Sequence, residues 1–160
     1  MDEFILGDLK DYIDQCISFK KLTDEFYLFT NQAYRIKMVD NKSSLVPDGK
    51  KTEELLVMIN PLSKEVIGNA VIYQKLRTLE GFIINSRYRR LGYGEKFIRF
   101  CISQFKINNL EVLTDNTPAI KLYQKCGFKI YRTVTEGKSK LYKMKLVEPL
   151  SSALEEYYIQ

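Results

Sequence analysis

The run Arg89-Arg90-Leu91-Gly92-Tyr93-Gly94 stands between a strand-like segment, Leu79 to Ile84, and a helical one, Glu95 to Lys106. The helical segment places Phe97, Ile98, Cys101, Ile102 and Phe105 at helical spacing, and Leu110 to Leu113 then reads as a strand again. Strand, helix and strand in that order predict one βαβ crossover, which sets the strands 79–84 and 110–113 parallel in one sheet. Within the connecting turn, two glycines one residue apart let the backbone approach a ligand closely and point successive N–H groups one way. A helix N-terminus follows directly, and its unpaired N–H groups and positive dipole end favour a phosphate or pyrophosphate. Two arginines precede it. The run is not a Walker loop, because no Gly-Lys-Ser/Thr follows, and not a dinucleotide fingerprint, because the third glycine is missing. Alone, it reads equally well as a tight turn.

The remaining chain gives the other elements. Phe4-Ile5-Leu6 reads as a short strand. From Asp8, a candidate N-cap, Leu9, Tyr12, Ile13, Cys16 and Ile17 mark one face of a helix. A second helix is expected from Thr23 roughly to Val39, although Phe26, Tyr27, Phe29 and Tyr34 blur its period. Asp40 to Lys51 is polar, carries Pro47-Asp48-Gly49, and reads as a loop. Leu55–Ile59 and Val66–Tyr73 form a hairpin across Asn60 to Lys64. Pro118 to Cys126 is a helix with Gly127 just past its end. Lys129–Thr135 and Leu141–Leu146 close the fold as a hairpin around Glu136-Gly137-Lys138. The expected order is βααβββαβαββ: an α/β chain of the α+β type, with a mostly antiparallel central sheet flanked by helices. The length, 160 residues, predicts one domain, over residues 1–148, with 149–160 as an appendage.

Composition removes several kinds of chemistry. The chain has no histidine, which excludes Ser-His-Asp and Cys-His nucleophile pairs and histidine-liganded zinc. Acid–base work falls to carboxylates, tyrosines, lysines, backbone or water. Cys16, Cys101 and Cys126 are odd in number and form no CxxC, so neither a metal site nor a redox dithiol is indicated. The absence of a disulfide framework fits a reducing compartment. No run approaches the ~18 apolar residues of a membrane span, and Met1-Asp2-Glu3 is not the basic opening of a signal peptide. A cytoplasmic protein is expected. Residues 1–60 carry eight bases and eleven acids, net −3, whereas residues 61–160 carry seventeen and nine, net +8. Such a half attracts a phosphorylated cofactor or a nucleic acid alike; a solvated lysine-rich surface has the same composition.

The stretch Asn116-Thr117-Pro118-Ala119-Ile120-Lys121-Leu122-Tyr123-Gln124-Lys125-Cys126-Gly127-Phe128 decides between these readings. Over about residues 52–146 the chain resembles the GNAT superfamily of N-acetyltransferases. Arg89, Gly92 and Gly94 match the family's R/Q-x-x-G-x-G/A motif. Asn116, Ala119, Leu122, Tyr123, Gly127 and Phe128 match its N-x-x-A-x-x-L-Y-x-x-x-G-F motif, at a fitting distance. Residues 1–51 agree only in element order, and nothing matches after Pro149.

The resemblance implies acetyl-CoA as cofactor. Its pyrophosphate would lie on the amides of Arg90, Leu91, Gly92, Tyr93 and Gly94, with the Arg89 amide close by. Its pantetheine would run along strand 79–84, past Phe82, Ile83 and Ile84, in a splay from strand 110–113. A bulge expected near Ile83-Ile84-Asn85 would supply amides to the acetyl carbonyl and its developing oxyanion. Asn116 would fix the pantetheine or thiol end, and is equally suited to cap the following helix. Tyr123 would protonate the departing thiolate; a phenol of pKa ~10 stays protonated at neutral pH. As a core residue it would instead pack with Leu122 and Phe128. Glu80 is the candidate base, acting through water on an ammonium whose deprotonation at pH 7 takes about 4.6 kcal/mol. Simple alternation puts it on the face of Phe82 and Ile84; the alternative is a solvent-facing strand residue.

The expected activity is direct acetyl transfer from acetyl-CoA to a primary amine, of a protein or a small molecule, in a ternary complex. No metal and no covalent intermediate is needed, and Cys126 reads as a small buried residue. Two other readings fit the same motifs: acetylation of aminoacyl-tRNA, the one case in which nucleic acid is a partner, and a non-catalytic CoA-binding interaction module. Glu155-Glu156-Tyr157-Tyr158 could pack across a homodimer or be disordered.

Overall fold

The computed structural model describes residues 4–5, 18–31, 34–39, 42–47 and 53–147. Among them run eleven strands: β1 (Phe4–Ile5), β2 (Ser18–Lys21), β3 (Phe26–Asn31), β4 (Tyr34–Val39), β5 (Lys42–Pro47), β6 (Glu53–Ile59), β7 (Val66–Tyr73), β8 (Thr78–Ile84), β9 (Asn109–Leu113), β10 (Phe128–Glu136) and β11 (Ser139–Leu146). Two α-helices, α1 (Tyr93–Phe105) and α2 (Thr117–Lys125), and a 3₁₀ turn at Ser86–Tyr88 complete them. Eight strands form the main sheet in the order β10-β11-β9-β8-β7-β6-β3-β2, and β1-β5-β4 form a small second sheet. In the main sheet β8 and β9 are the parallel pair, joined through α1, and the other pairs are antiparallel. This is the mixed, mostly antiparallel α/β architecture expected from the sequence.

The segment 23–39 is not a helix. Residues 26–31 form β3, which pairs with β2 on one side and β6 on the other, and residues 34–39 form β4. The reason lies in burial. Phe26 and Leu28 join the core under the helices while Tyr27 and Phe29 are buried on the opposite face, so four consecutive large residues are covered. A strand buried on both faces has no apolar–polar alternation, and a short aromatic run is then ambiguous between helix and strand. The expected loop 40–51 also contains a strand, since β5 pairs with β4 from Val39↔Lys42 to Tyr34↔Pro47. The expected helix from Asp8, the turn Pro47-Asp48-Gly49 and the appendage 149–160 lie outside the described residues, wholly or in their greater part.

The core follows from two periodicities. Phe97, Ile98 and Cys101 of α1 are buried at i, i+1 and i+4, and meet Leu56, Met58, Ile72, Leu110 and Met144 of the sheet. On the face away from the helices, Phe29, Leu55, Val57, Val71 and Ile83 are also buried. The small sheet stands on that side, with β4 close to β6 and β8 and β5 close to β8.

Candidate active site

The carboxyl end of β8 is fastened before the turn begins. Asn85 donates its amide to the Ile67 carbonyl at 2.8 Å and its side-chain amide to the Val66 carbonyl. Arg89 folds back so that its Nε donates to the Ile84 carbonyl at 2.8 Å, and its own amide points to the Ser86 carbonyl at 3.4 Å. The Arg89 amide is therefore turned inward rather than toward a ligand, and its Nε holds the loop to the strand. Beyond it the chain is bent by positive φ at Arg90 (62°) and Gly92 (86°). Among the described residues nothing accepts from the amides of Arg90 through Glu95; the first amide to bond back is that of Lys96, to the Gly92 carbonyl at 3.2 Å. Six successive donors at the start of a 13-residue helix are the kind of surface that favours an anion. Arg90 and Leu91 are exposed above it, and Tyr93 packs edge-on against Tyr88 at 5.7 Å.

Next to this loop the sheet opens. β8 and β9 pair only at Thr78↔Asn109 and Leu79↔Leu110, after which β9 stays with β11 and β8 with β7. Phe82, Ile83 and Ile84 thus lie beyond the last β8–β9 pair. The bulge of β8 is two residues earlier than expected. Asn69↔Ile83 and Val71↔Glu80 leave Ala70 opposite both Gly81 and Phe82, and Gly81 has φ 56°. A bulge of this kind leaves one residue outside the ladder and flips the alternation that follows.

That flip corrects the expected position of Glu80. Leu79, Phe82 and Ile84 all face the helices, so Glu80, paired with Val71, faces the other way with Ile83. It is exposed there. Tyr123 of α2 approaches from the helix side. It is 5% exposed, with its ring 6.2 Å from that of Phe82 and 6.3 Å from that of Phe128. Burial, and then the neighbouring thiols of Cys101 and Cys126, push its phenol well above the ordinary tyrosine range. The phenol is held protonated. No described residue shares a hydrogen bond with it.

Asn116 caps α2: its Oδ1 accepts from the Ala119 amide at 3.3 Å, and Pro118 occupies the first turn. Cys126 is buried at the other end of this helix, and Cys101 is buried beside Tyr123; both are free thiols.

Two supports of the loop escape sequence reasoning. Glu65, before β7, accepts from the Tyr88 hydroxyl and from Arg87 Nη1 at 2.9 Å, which clamps the β6–β7 turn to the 3₁₀ turn. The hydrogen bond from Tyr88 is the main reason its carboxyl lies below the ordinary range. Glu95, in the first turn of α1, bonds Arg99 Nε and Lys125 Nζ, both at 3.0 Å, tying α1 to α2. The Glu95–Arg99 pair has a sequence signal, an i,i+4 spacing; the Glu65 clamp spans 23 residues and has none.

The sequence profile of the Acetyltransferase (GNAT) family matches residues 18–128. The chain belongs to the GNAT acetyltransferase family. No curated protein matches it in sequence. Solved structures of similar fold include a GnaT-family protein from Bordetella pertussis (TM-score 0.52, 14% identity, over 59% of this chain and 66% of that one). Another is apo YjaB from Escherichia coli (0.52, 19%, 59% and 65%). A mutant form of the spermidine N-acetyltransferase SpeG from Vibrio cholerae is also similar (0.48, 21%, 59% and 65%). The likeness thus spans just under two thirds of the length of SpeG.

Proposed function

We propose that this GNAT-family chain transfers the acetyl group of acetyl-CoA directly to a primary amine in a ternary complex. The observation that carries the reading is the parting of β8 and β9 after Leu79↔Leu110, with the unpartnered amides of Arg90 to Glu95 at the mouth of the gap. Acetyl-CoA supplies an acyl thioester and a pyrophosphate. The amides fit the pyrophosphate, because six donors and a helix N-terminus converge where no side chain of the loop competes. Phe82, Ile83 and Ile84 line the gap that would take the pantetheine, and the bulge at Gly81–Phe82 gives β8 a residue outside the ladder whose amide can polarise the acetyl carbonyl.

The two candidate proton carriers reach the gap from opposite faces of the sheet. Tyr123, buried and protonated on the helix side, gives its proton to the departing thiolate. Glu80, exposed on the other side, takes a proton through water from the acceptor's ammonium, which frees the neutral amine to attack. Asn116, already capping α2 through Oδ1, retains its side-chain NH₂ for the pantetheine. The acceptor enters on the face of Glu80. Incubating the protein with acetyl-CoA and a panel of amines tests this, with free thiol followed by colour and products by mass. Thiol release that depends on amine, with a product heavier by one acetyl group, is the expected result. Thiol release independent of amine would identify a hydrolase.

A further inference from the structure

Four cations form a block on the face of the sheet turned away from the helices. Lys129 of β10 lies directly opposite Lys145 of β11, and Arg132 directly opposite Lys143. The intervening pair, Ile130↔Met144, points the other way, since Met144 belongs to the core under the helices. Like charges directly opposite each other destabilise a sheet, and here two such pairs are neighbours. Glu111 of β9, opposite Lys143, provides compensation for that one residue at 3.5 Å. Lys129, Arg132 and Lys145 are exposed and bond no carboxylate among the described residues, and Lys145 rests over the exposed ring of Tyr131 at 4.4 Å. A surface that keeps this repulsion is matched to an anionic partner.

Geometry narrows the partner. β10 is the edge strand of the main sheet, so an extended peptide can lie along it. The bulge at Tyr131 interrupts β10 as a pairing edge, which leaves side-chain charge to decide the choice. The pairs Lys129↔Lys145 and Arg132↔Lys143 lie two β11 residues apart, about 6.8 Å, so Arg132 is set off from Lys129 and Lys145 by the interval between carboxylates on alternate residues of an extended peptide. Glu80 looks out on this same face. It stands two to three strand spacings away, about 10–14 Å at ~4.8 Å each, which about three or four extended residues span.

We infer that the amine acetylated by this protein is carried on an acidic polypeptide segment whose carboxylates dock on Lys129, Arg132 and Lys145, about three or four residues from the amine. The acceptor role rests on the proposed acetyl transfer; the docking rests on the charge block alone.

The test measures fluorescence anisotropy of a peptide with a free amino terminus, glutamates at its fourth, sixth and eighth residues, and a label at its carboxyl end. The same peptide with glutamines, and an oligodeoxythymidylate of equal charge, are the comparisons. The acidic peptide should bind at least tenfold tighter than the glutamine peptide at low salt, and lose that margin as salt rises. The double substitution Lys129→Gln, Arg132→Gln should remove the margin, leave acetyl-CoA binding unchanged and raise Tm, because it relieves the repulsion. Equal affinity for the two peptides overturns the inference. Tighter binding of the oligonucleotide overturns it too, and assigns the block to nucleic acid. Docking of the acidic peptide with acetylation confined to unrelated amines overturns the acceptor assignment. Docking with no acetylation of any amine overturns the acetyl-transfer reading and leaves the docking standing.

Discussion

A Cβ placed on Gly94 would stand 2.9 Å from Cδ2 of Leu122, closer than carbon atoms approach without something moving. A side chain at the second glycine of the turn therefore requires Leu122 of α2 to move. The first is constrained differently: nothing lies within 4 Å of a Cβ on Gly92, but its φ of 86° disfavours any side chain.

The two glycines should accordingly fail in different ways. Gly92→Ala strains the loop by roughly 1–2 kcal/mol and should weaken CoA binding at least tenfold while the helices stay packed. Gly94→Val pushes Leu122 aside and should lower Tm by several degrees as well as weakening CoA. Calorimetric titration with CoA and thermal melts of both variants check this; identical behaviour of the two would contradict the packing argument.

CoA or acetyl-CoA should protect the fold. A ligand that binds only the native state at 100 times its Kd stabilises it by about 2.7 kcal/mol, roughly 5–10 °C for a domain of this size. A thermal shift with millimolar CoA measures it, and an unmoved Tm would remove the cofactor reading.

Tyr123→Phe keeps the ring that packs between Phe82 and Phe128 and deletes the hydroxyl. Stability and CoA affinity should stay nearly unchanged, and kcat should fall on the order of 10²-fold. The loss should shrink with a thioester of a more acidic thiol, whose departure needs less protonation. An unaltered kcat, measured where chemistry limits the rate, would return Tyr123 to the core alone.

Glu65 gives a pH signature. Its folded carboxyl lies below the ordinary range because Tyr88 donates to it, with Arg87 adding charge. A depressed folded pKa contributes stability above the unfolded value, about 4.3, and loses it as pH falls through the folded value. The wild-type chain should therefore exceed Glu65→Gln in urea stability by a constant margin from pH 7 to about 5, and the margin should shrink as pH falls below the unfolded value of about 4.3 and be lost once the folded carboxyl is protonated. A margin independent of pH would mean that the carboxylate charge is not what holds Tyr88.

Sequence alone determined the crossover 79–113, the hairpins 55–73 and 129–146, and the glycine turn between β8 and α1. These are set by short-range signals: helical spacing at Phe97, Ile98 and Cys101, glycines at a turn, and a cap at Asn116. The two motifs at Arg89–Gly94 and Asn116–Phe128 likewise read directly into the family. Only the tertiary structure decided the rest, because each remaining feature depends on a partner distant in sequence. Phe26 to Phe29 are a strand because β6, some thirty residues on, pairs with them and both faces are covered. Glu80 changes face because one residue of β7, Ala70, is spanned by two of β8, a register choice that alternation within β8 cannot reveal. Glu65 reaches Tyr88, and Lys129 meets Lys145, only through the folding of the chain. Periodicity specifies which elements form; register across strands specifies what their side chains face.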